Sequence, residues 1–300
     1  MQNPTPCPVC TAERCAHDYT GKAHRAGWQD GKDWSVWRCP DCEHGFMHPQ
    51  PGPDVLSHYY SKGYAPYSAS HGVSDEMAEV IKMAKHSQKY RHVSITPGMR
   101  LLDVGCGGGS FLKIAREMGA QVQGVEPSEH GVAICEAEGL PVFHGTLTEF
   151  LKTSPGSFDL ITANHVVEHH PDPVAFLAEI KTLLDLQGSI WIALPNAGSF
   201  FSRQLRDLWH SADLPVHLHH FTARSLETAF MQAGLKVDTL RSESENSLPG
   251  SLALLLRRRA FIPGRITLAL TRGILSKTGA LGRRMDAAGQ GEALLVQARL

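Results

Sequence analysis

The sequence carries almost no excess of charge of either sign. Its 29 lysines and arginines face 30 aspartates and glutamates, a formal net charge of −1. Nothing overall drives such a chain toward nucleic acid or an anionic membrane, so any such tendency must come from a local patch. Long apolar runs are also missing. No stretch approaches the roughly 18 apolar residues of a bilayer span, and no membrane-spanning helix is expected. The opening residues MQNPTPCPVC lack a basic segment followed by an apolar one, so they do not read as a secretory signal. A cytoplasmic protein is expected. Core-forming residues are plentiful: 42% of the 300 residues are hydrophobic, enough for one large domain or two smaller ones.

The seven cysteines include two C-P-x-C knuckles, Cys7/Cys10 and Cys39/Cys42. In a reduced compartment such pairs suggest metal rather than disulfides. Two residues between cysteines let both thiolates reach one ion, and two knuckles complete a tetrahedral site suited to structural zinc. The reading is a zinc ribbon over 1–50. Trp34, Val36 and Trp37 fit a strand leading into the second knuckle. Cys15, His17 and His44 lie close enough to serve as alternative ligands, and four unligated thiols are the plain alternative. Residues 51–97 read as a linker or lid. A short helix is expected near 53–60, and a second over 74–92, with Ser74 as its N-cap.

From residue 98 strands and helices alternate. RLLDV (100–104), QVQGVE (121–126), PVFHG, FDLITAN (158–164) and SIWIALP read as five strands. Helices fill 110–118, a stretch capped by Ser128, and one opened by Asp172-Pro173 and ended at Gly188. Such alternation predicts a parallel, doubly wound sheet with a ligand at the carboxyl ends of its strands. The loop after the first of these strands is Asp103-x-Gly105-x-Gly107-Gly108-Gly109-Ser110. Ser110 breaks the dinucleotide G-x-G-x-x-G pattern, and no Gly-Lys-Ser/Thr follows, so neither a pyrophosphate nor a P-loop cradle is indicated. Glu126 ends the second strand, where an acid grips ribose hydroxyls. The loop therefore suits an adenosine ligand without pyrophosphate. Cys106 within it reads as a small space-filler.

LLDVGCGGGSF, GVEPS, GSFDLITANHVVEHHPDP and GSIWIALPN resemble the successive motifs of class I S-adenosylmethionine-dependent methyltransferases, in the subset with an E-H-x-x-D-P motif. The resemblance covers about 98–245 and the last ten residues. It implies a Rossmann-like α/β fold: a seven-stranded doubly wound sheet of order 3-2-1-4-5-7-6, whose antiparallel last strand is GEALLVQARL (291–300). It further implies that Asp103, Gly105, Gly107 and Gly109 hold the methionine part of the cofactor and that Glu126 takes both ribose hydroxyls. Thr146 and Leu147 fall at the adenine edge; many members have an acid there. Asn164 and His165 line the methyl-donor pocket. Glu168-His169 would be largely architectural.

Methyl transfer is an in-line displacement at a sulfonium-activated carbon, and a base is needed only if the acceptor must shed a proton. DLPVHLHHFTARSLETAFMQAGLKV (213–237) resembles the segment after the fifth strand in the same subset, with Leu235 where a phenylalanine is usual. His217, His219 and His165 are the catalytic candidates, and a polar bridge holding the loop on the sheet is the alternative. Between LKVDTLRSE and the last strand lies an insertion, 246–290. Its stretch 251–286 carries Arg257, Arg258, Arg259, Arg265, Arg272, Lys277, Arg283 and Arg284 against the single acid Asp286. Pro263-Gly264 would split it into two helices. A cap over the acceptor pocket, a homodimer contact, and a peripheral contact of 252–284 with the inner face of a membrane are its three readings. The whole reads as a methyltransferase acting on a small-molecule acceptor, with a sugar or lipid-linked glycan favoured. The alternatives are a quinone or lipid O-methyltransferase, and a zinc-ribbon interaction or nucleic-acid-modifying protein; near-neutral charge argues against the last.

Overall fold

The computed structural model describes residues 5–23, 31–61, 93–209, 211–244 and 279–300. The helix expected over 74–92 and most of the basic insertion, including Pro263-Gly264, lie outside them.

Two sheets organise the chain. The larger is built from β4 (Arg100–Val104), β5 (Gln121–Glu126), β6 (Val142–His144), β7 (Phe158–Asn164), β8 (Leu184–Pro195), β10 (Lys236–Glu243) and β11 (Ala293–Arg299). Their order across the sheet is β6-β5-β4-β7-β8-β11-β10. β11 runs antiparallel to both neighbours and the other pairs are parallel. Counted in the sheet's own sequence, this is 3-2-1-4-5-7-6, as the motifs implied.

Local chemistry sets the connecting helices. Helix α2 (Ser110–Glu117) buries Phe111, Leu112 and Ala115 on one face. Helix α3 (Glu129–Ala137) starts at Ser128, whose hydroxyl accepts the Gly131 N–H. A short helix α4 (Leu147–Leu151) follows β6. Helix α5 (Pro173–Thr182) has Asp172 as N-cap and proline at N1, and its Phe176, Leu177 and Ile180 are buried. Helix α6 (Phe200–Leu205) follows β8, and helix α7 (Ala223–Gln232) closes a capping box between Thr222 and Ser225 and buries Leu226, Ala229 and Phe230. Each such Leu or Phe contributes about 1.5–3 kcal/mol by leaving water.

One boundary differs from expectation. Helix α5 ends at Thr182 rather than at Gly188, and β8 begins five residues early. Leu183 and Leu184 are buried, and the Leu183 carbonyl accepts the Phe158 N–H at 2.8 Å, so pairing with β7 wins over helix extension. Gly188 sits inside the strand because a Cβ there would lie 2.8 Å from the Phe158 carbonyl.

The smaller sheet joins the two ends of the fold. β1 (Ala16–Gly21) and β2 (Trp34–Arg38) form an antiparallel pair, and β3 (Gly45–Met47) lies on β2. The fourth strand is β9 (His219–His220), from beyond the fifth strand of the larger sheet, antiparallel to β3. The apolar core is continuous through Phe46 and Phe221. The 1–50 module is thus bonded into the same fold as 98–300. Helix α1 (Pro53–Ser61) follows it, and helix α8 (Gly279–Ala287) precedes β11. Among the described residues no helix is long and apolar enough to cross a membrane.

Candidate functional site

The glycine loop follows β4 at the carboxyl edge of the larger sheet. Gly105 and Gly109 have φ of +68° and +70°, and a Cβ on either would come within 2.5 Å of a side chain, Val166 or Leu140. Both positions therefore require glycine. Above Gly107 there is open space, which leaves its backbone approachable. Glu126 is buried and braces the loop: Oε2 accepts the Gly107 N–H at 2.8 Å and Oε1 the Ser128 N–H at 2.9 Å. A carboxylate oxygen has two lone pairs, so a backbone N–H and a ribose hydroxyl can share one such oxygen. Asp103 is buried and accepts the Thr162 hydroxyl at 2.7 Å. Burial pushes its carboxyl up to about 7, with Glu126 adding to the rise and Thr162 opposing it. Asn164 ends β7 with a buried Oδ1 that has no protein partner.

One expectation changes here and another holds. The Thr146 hydroxyl donates to Glu149 Oε2 at 2.8 Å and accepts the Glu149 N–H at 3.3 Å, so it caps α4. Adenine contact at this edge would then fall to backbone and to the buried Leu147. Cys106 is buried, and its thiol is pushed up by contact with Cys135 and by burial. It fills space against Gly124, as the sequence suggested, and is no nucleophile.

Beside Asn164 the chain gathers acids and imidazoles. His165 has φ of +56°, a left-handed conformation that His tolerates better than most residues, and its N–H bonds the Ala193 carbonyl at 2.8 Å. Its Nδ1 lies 3.1 Å from Glu168 Oε1. The His165 side chain is 39% exposed, Glu168 only 1%. Burial would raise the Glu168 pKa, but the His165 hydrogen bond and the fields of His165, His169 and His217 outweigh it and hold it near 2.

His217 and His219 are both buried. His217 is buried, with Nε2 facing Glu168 Oε1 at 4.0 Å and Asp213 Oδ2 at 3.7 Å. His219 is buried in β9, and its Nδ1 is 3.0 Å from Nε2 of His44. Burial lowers the His219 pKa to about 4, so the ring stays neutral. Of the three candidates only His165 combines exposure with a place at the strand ends where a ligand is expected.

A methyltransferase-domain model matches residues 77–240, just over half of the chain. The chain belongs to the methyltransferase-domain family. Curated relatives include a ubiquinone biosynthesis O-methyltransferase of Xanthomonas campestris pv. campestris, 31% identical over 42% of this chain and 56% of that protein. Another, from Ralstonia nicotianae, is 29% identical over 52% of this chain and 71% of that one. The chain spans about half the length of the first of these relatives. Among solved structures, magnesium protoporphyrin IX methyltransferase from Synechocystis PCC 6803 matches with a TM-score of 0.52 at 12% identity, covering 83% of this chain and all of that one. A methyltransferase from Archaeoglobus fulgidus gives 0.50 at 21% identity, covering 74% and 94%. These structures share the fold.

The chain also carries the thiol cluster. Cys7, Cys10, Cys39 and Cys42 place their sulfurs within 4.8 Å of one another, with Cys7–Cys42 at 3.6 Å and Cys10–Cys39 at 3.5 Å. These separations are far too long for disulfides, and a tetrahedron with Zn–S of about 2.3 Å has sulfur edges of about 3.8 Å. The donor set fits zinc. Contact with Cys42 lowers Cys7 to about 5 while Cys42 is pushed up, as expected of thiols sharing protons that a cation would displace. None of the alternative ligands joins the cluster. Cys15 points its thiol at the Ala12 carbonyl, His17 meets Thr20, and His44 turns to His219.

Asp213, which the sequence reading passed over, stands 3.7 Å from His217, and Glu168, read there as largely architectural, meets both His165 and His217. Both signals were present, the acid three residues after His165 and the DLP before His217.

Proposed function

We propose that the methyltransferase moves the methyl group of S-adenosylmethionine to a hydroxyl of a small-molecule acceptor, with His165 as the base and Glu168 as the residue that orients it. The carrying observation is the His165–Glu168 contact at 3.1 Å, with the imidazole exposed and the carboxylate buried. A carboxylate bonded to Nδ1–H fixes the tautomer whose Nε2 takes a proton. The cofactor supplies an electrophilic methyl; Asp103 and the loop Gly105, Gly107 and Gly109 would hold its methionine part, Glu126 its ribose, and Asn164 Oδ1 a donor group. Zinc in the four-cysteine site has a structural role.

A hydroxyl-rich acceptor, such as a sugar or a lipid-linked glycan, is favoured by a cleft of about 340 Å³ between the ribbon and the larger domain. Asp18, Tyr19, Arg38, Glu43, Arg203 and Arg206 line it, a surface suited to polar or anionic groups. A quinol acceptor is the second reading, favoured by the names of the curated relatives. The test offers labelled S-adenosylmethionine with nucleotide sugars or glycolipids in one arm and with catechols and quinols in the other. Label in a base-stable ether in either arm supports O-transfer and selects the class. Label found only on nitrogen would sink it.

Two further expectations concern the donor side. Replacing Glu126 with alanine removes hydrogen bonds to a charged group, each worth about 1.5–3 kcal/mol, so S-adenosylhomocysteine affinity should fall at least about tenfold by calorimetry. Affinity should also depend on pH through Asp103. With its folded pKa raised to about 7, the carboxyl is neutral below that pH and charged above it. The cofactor's ammonium prefers the charged form, so affinity should rise with pH and drop about tenfold per unit below about 7. The sign for the ligand-free protein is opposite. A raised acid binds its proton more tightly when folded, so this group stabilises at low pH and loses that contribution as pH climbs through about 7. Asp103→Asn should flatten both trends, and an unchanged slope in that variant would assign them to another group.

A further inference from the structure

Apart from the four cysteines, one other group among the described residues has the arrangement of a metal centre. Ligand atoms of Glu168, His169 and His217 lie within 4.8 Å of one another. They come from two separate pieces of chain, the turn Val167–His169 that follows β7 and the loop that leads into β9. Both rings are held from behind. His169 Nδ1 lies 2.9 Å from the Val216 carbonyl, and His217 Nδ1 lies 2.8 Å from the Ser211 carbonyl. A carbonyl only accepts, so each Nδ1 carries the hydrogen and each Nε2 carries the lone pair. This outer contact is the usual support of a metal-bound histidine. His217 Nε2 indeed faces Glu168, and Asp213 Oδ2 stands 3.7 Å from the same nitrogen.

The carboxylate adds an independent sign. Glu168 is 1% exposed, and its Oε2 is buried without a hydrogen-bond partner. An orphaned charged oxygen costs more than almost any other buried group, and native structures rarely leave one. His165 satisfies Oε1 only. A cation held by this carboxylate and the two imidazoles would give the orphaned oxygen a partner.

We propose that Glu168, His169 and His217, with Asp213 adjacent as a fourth oxygen donor, bind a second divalent cation of the zinc and cobalt class. Nitrogen and oxygen donors in a small, nearly closed site suit those ions. Burial of Glu168 and His217 keeps the acceptor off the metal. The ion instead ties the His217 loop to the turn that carries Glu168, and so fixes the carboxylate behind His165. The proposal stands apart from the identity of the acceptor and from His165 being the base.

The test uses the full chain. Metal is measured on gel-filtered wild type, Glu168→Gln and His217→Gln after incubation with Zn2+, with S-adenosylhomocysteine binding as the check on folding. Each variant should hold one equivalent less than wild type and keep the thiolate-bound ion. Should a variant fail to fold, Co2+ bound to the wild type decides, since cobalt on thiolates gives an intense near-ultraviolet band that a nitrogen and oxygen site does not. Bound cobalt beyond what that band accounts for supports the second centre. Equal metal in all three proteins, or cobalt wholly accounted for by the thiolate band, overturns it.

Discussion

Replacing His165 with asparagine is expected to lower kcat about 10²–10⁴-fold, the usual worth of a positioned general base, while leaving S-adenosylhomocysteine affinity unchanged. Asparagine is the informative substitution because it tolerates the positive φ of 56° at this position. The backbone, including the N–H bond to Ala193, should therefore survive. Alanine would add backbone strain to the loss of the ring and confuse the two. An acceptor already ionised at the assay pH should lose far less than a weakly acidic one, because it needs no proton removed. Comparing acceptors of graded acidity separates a base from a residue that merely shapes the pocket. Equal losses for all of them would assign His165 to positioning, and full activity would remove it from the reaction.

The donor half of this site was legible in the sequence for a physical reason. It is a continuous strand, loop and helix, and each residue acts near its own place in the chain. Asp103 and Glu126 stand on adjacent parallel strands and the glycines follow directly on the first, so their spacing already encodes their proximity. The acceptor half is assembled from separate pieces. Nothing in 44–47 signals that it pairs with 219–220, because three-residue and two-residue strands carry no period. His217 and His219 looked equivalent as alternating members of one cluster. Alternation puts them on the same face of an extended chain, yet the loop through Pro215 turns His217 toward Glu168 while pairing commits His219 to the ribbon side. The four cysteines were legible because knuckle spacing is set by the ion, not by the fold around it. What that motif could not show is where the ribbon docks.

That docking sets the cysteine module against the proposed acceptor side, and breaking it should show the largest effect on the fold. Cys39→Ser is expected to lose the bound zinc, and structural zinc in small domains supplies about 10–16 kcal/mol of apparent binding energy to folding. The loss would travel a short path. Cys39 N–H bonds the His44 carbonyl at 2.9 Å, the His44 ring meets His219 and packs on Phe221, and Met47 N–H bonds the Leu218 carbonyl at 2.9 Å. Leu218 N–H in turn bonds the Glu168 carbonyl at 2.9 Å, one residue's backbone away from the carboxylate behind His165. With β3 frayed, β9 has no other strand beside it in its sheet among the described residues. Each net hydrogen bond is worth about 0.5–1.5 kcal/mol, so losing this set should cost methyl transfer about a hundredfold or more. The donor side stands on β4 and β5 and should keep its S-adenosylhomocysteine affinity. Hydrogen exchange is the measurement that locates the damage. Amides of 45–47 and 218–222 should lose protection while those of 101–104 and 122–126 keep theirs. If exchange in 218–222 stays at the wild-type rate in a zinc-free variant, the ribbon is an appendage and the acceptor loop is held by the larger domain alone.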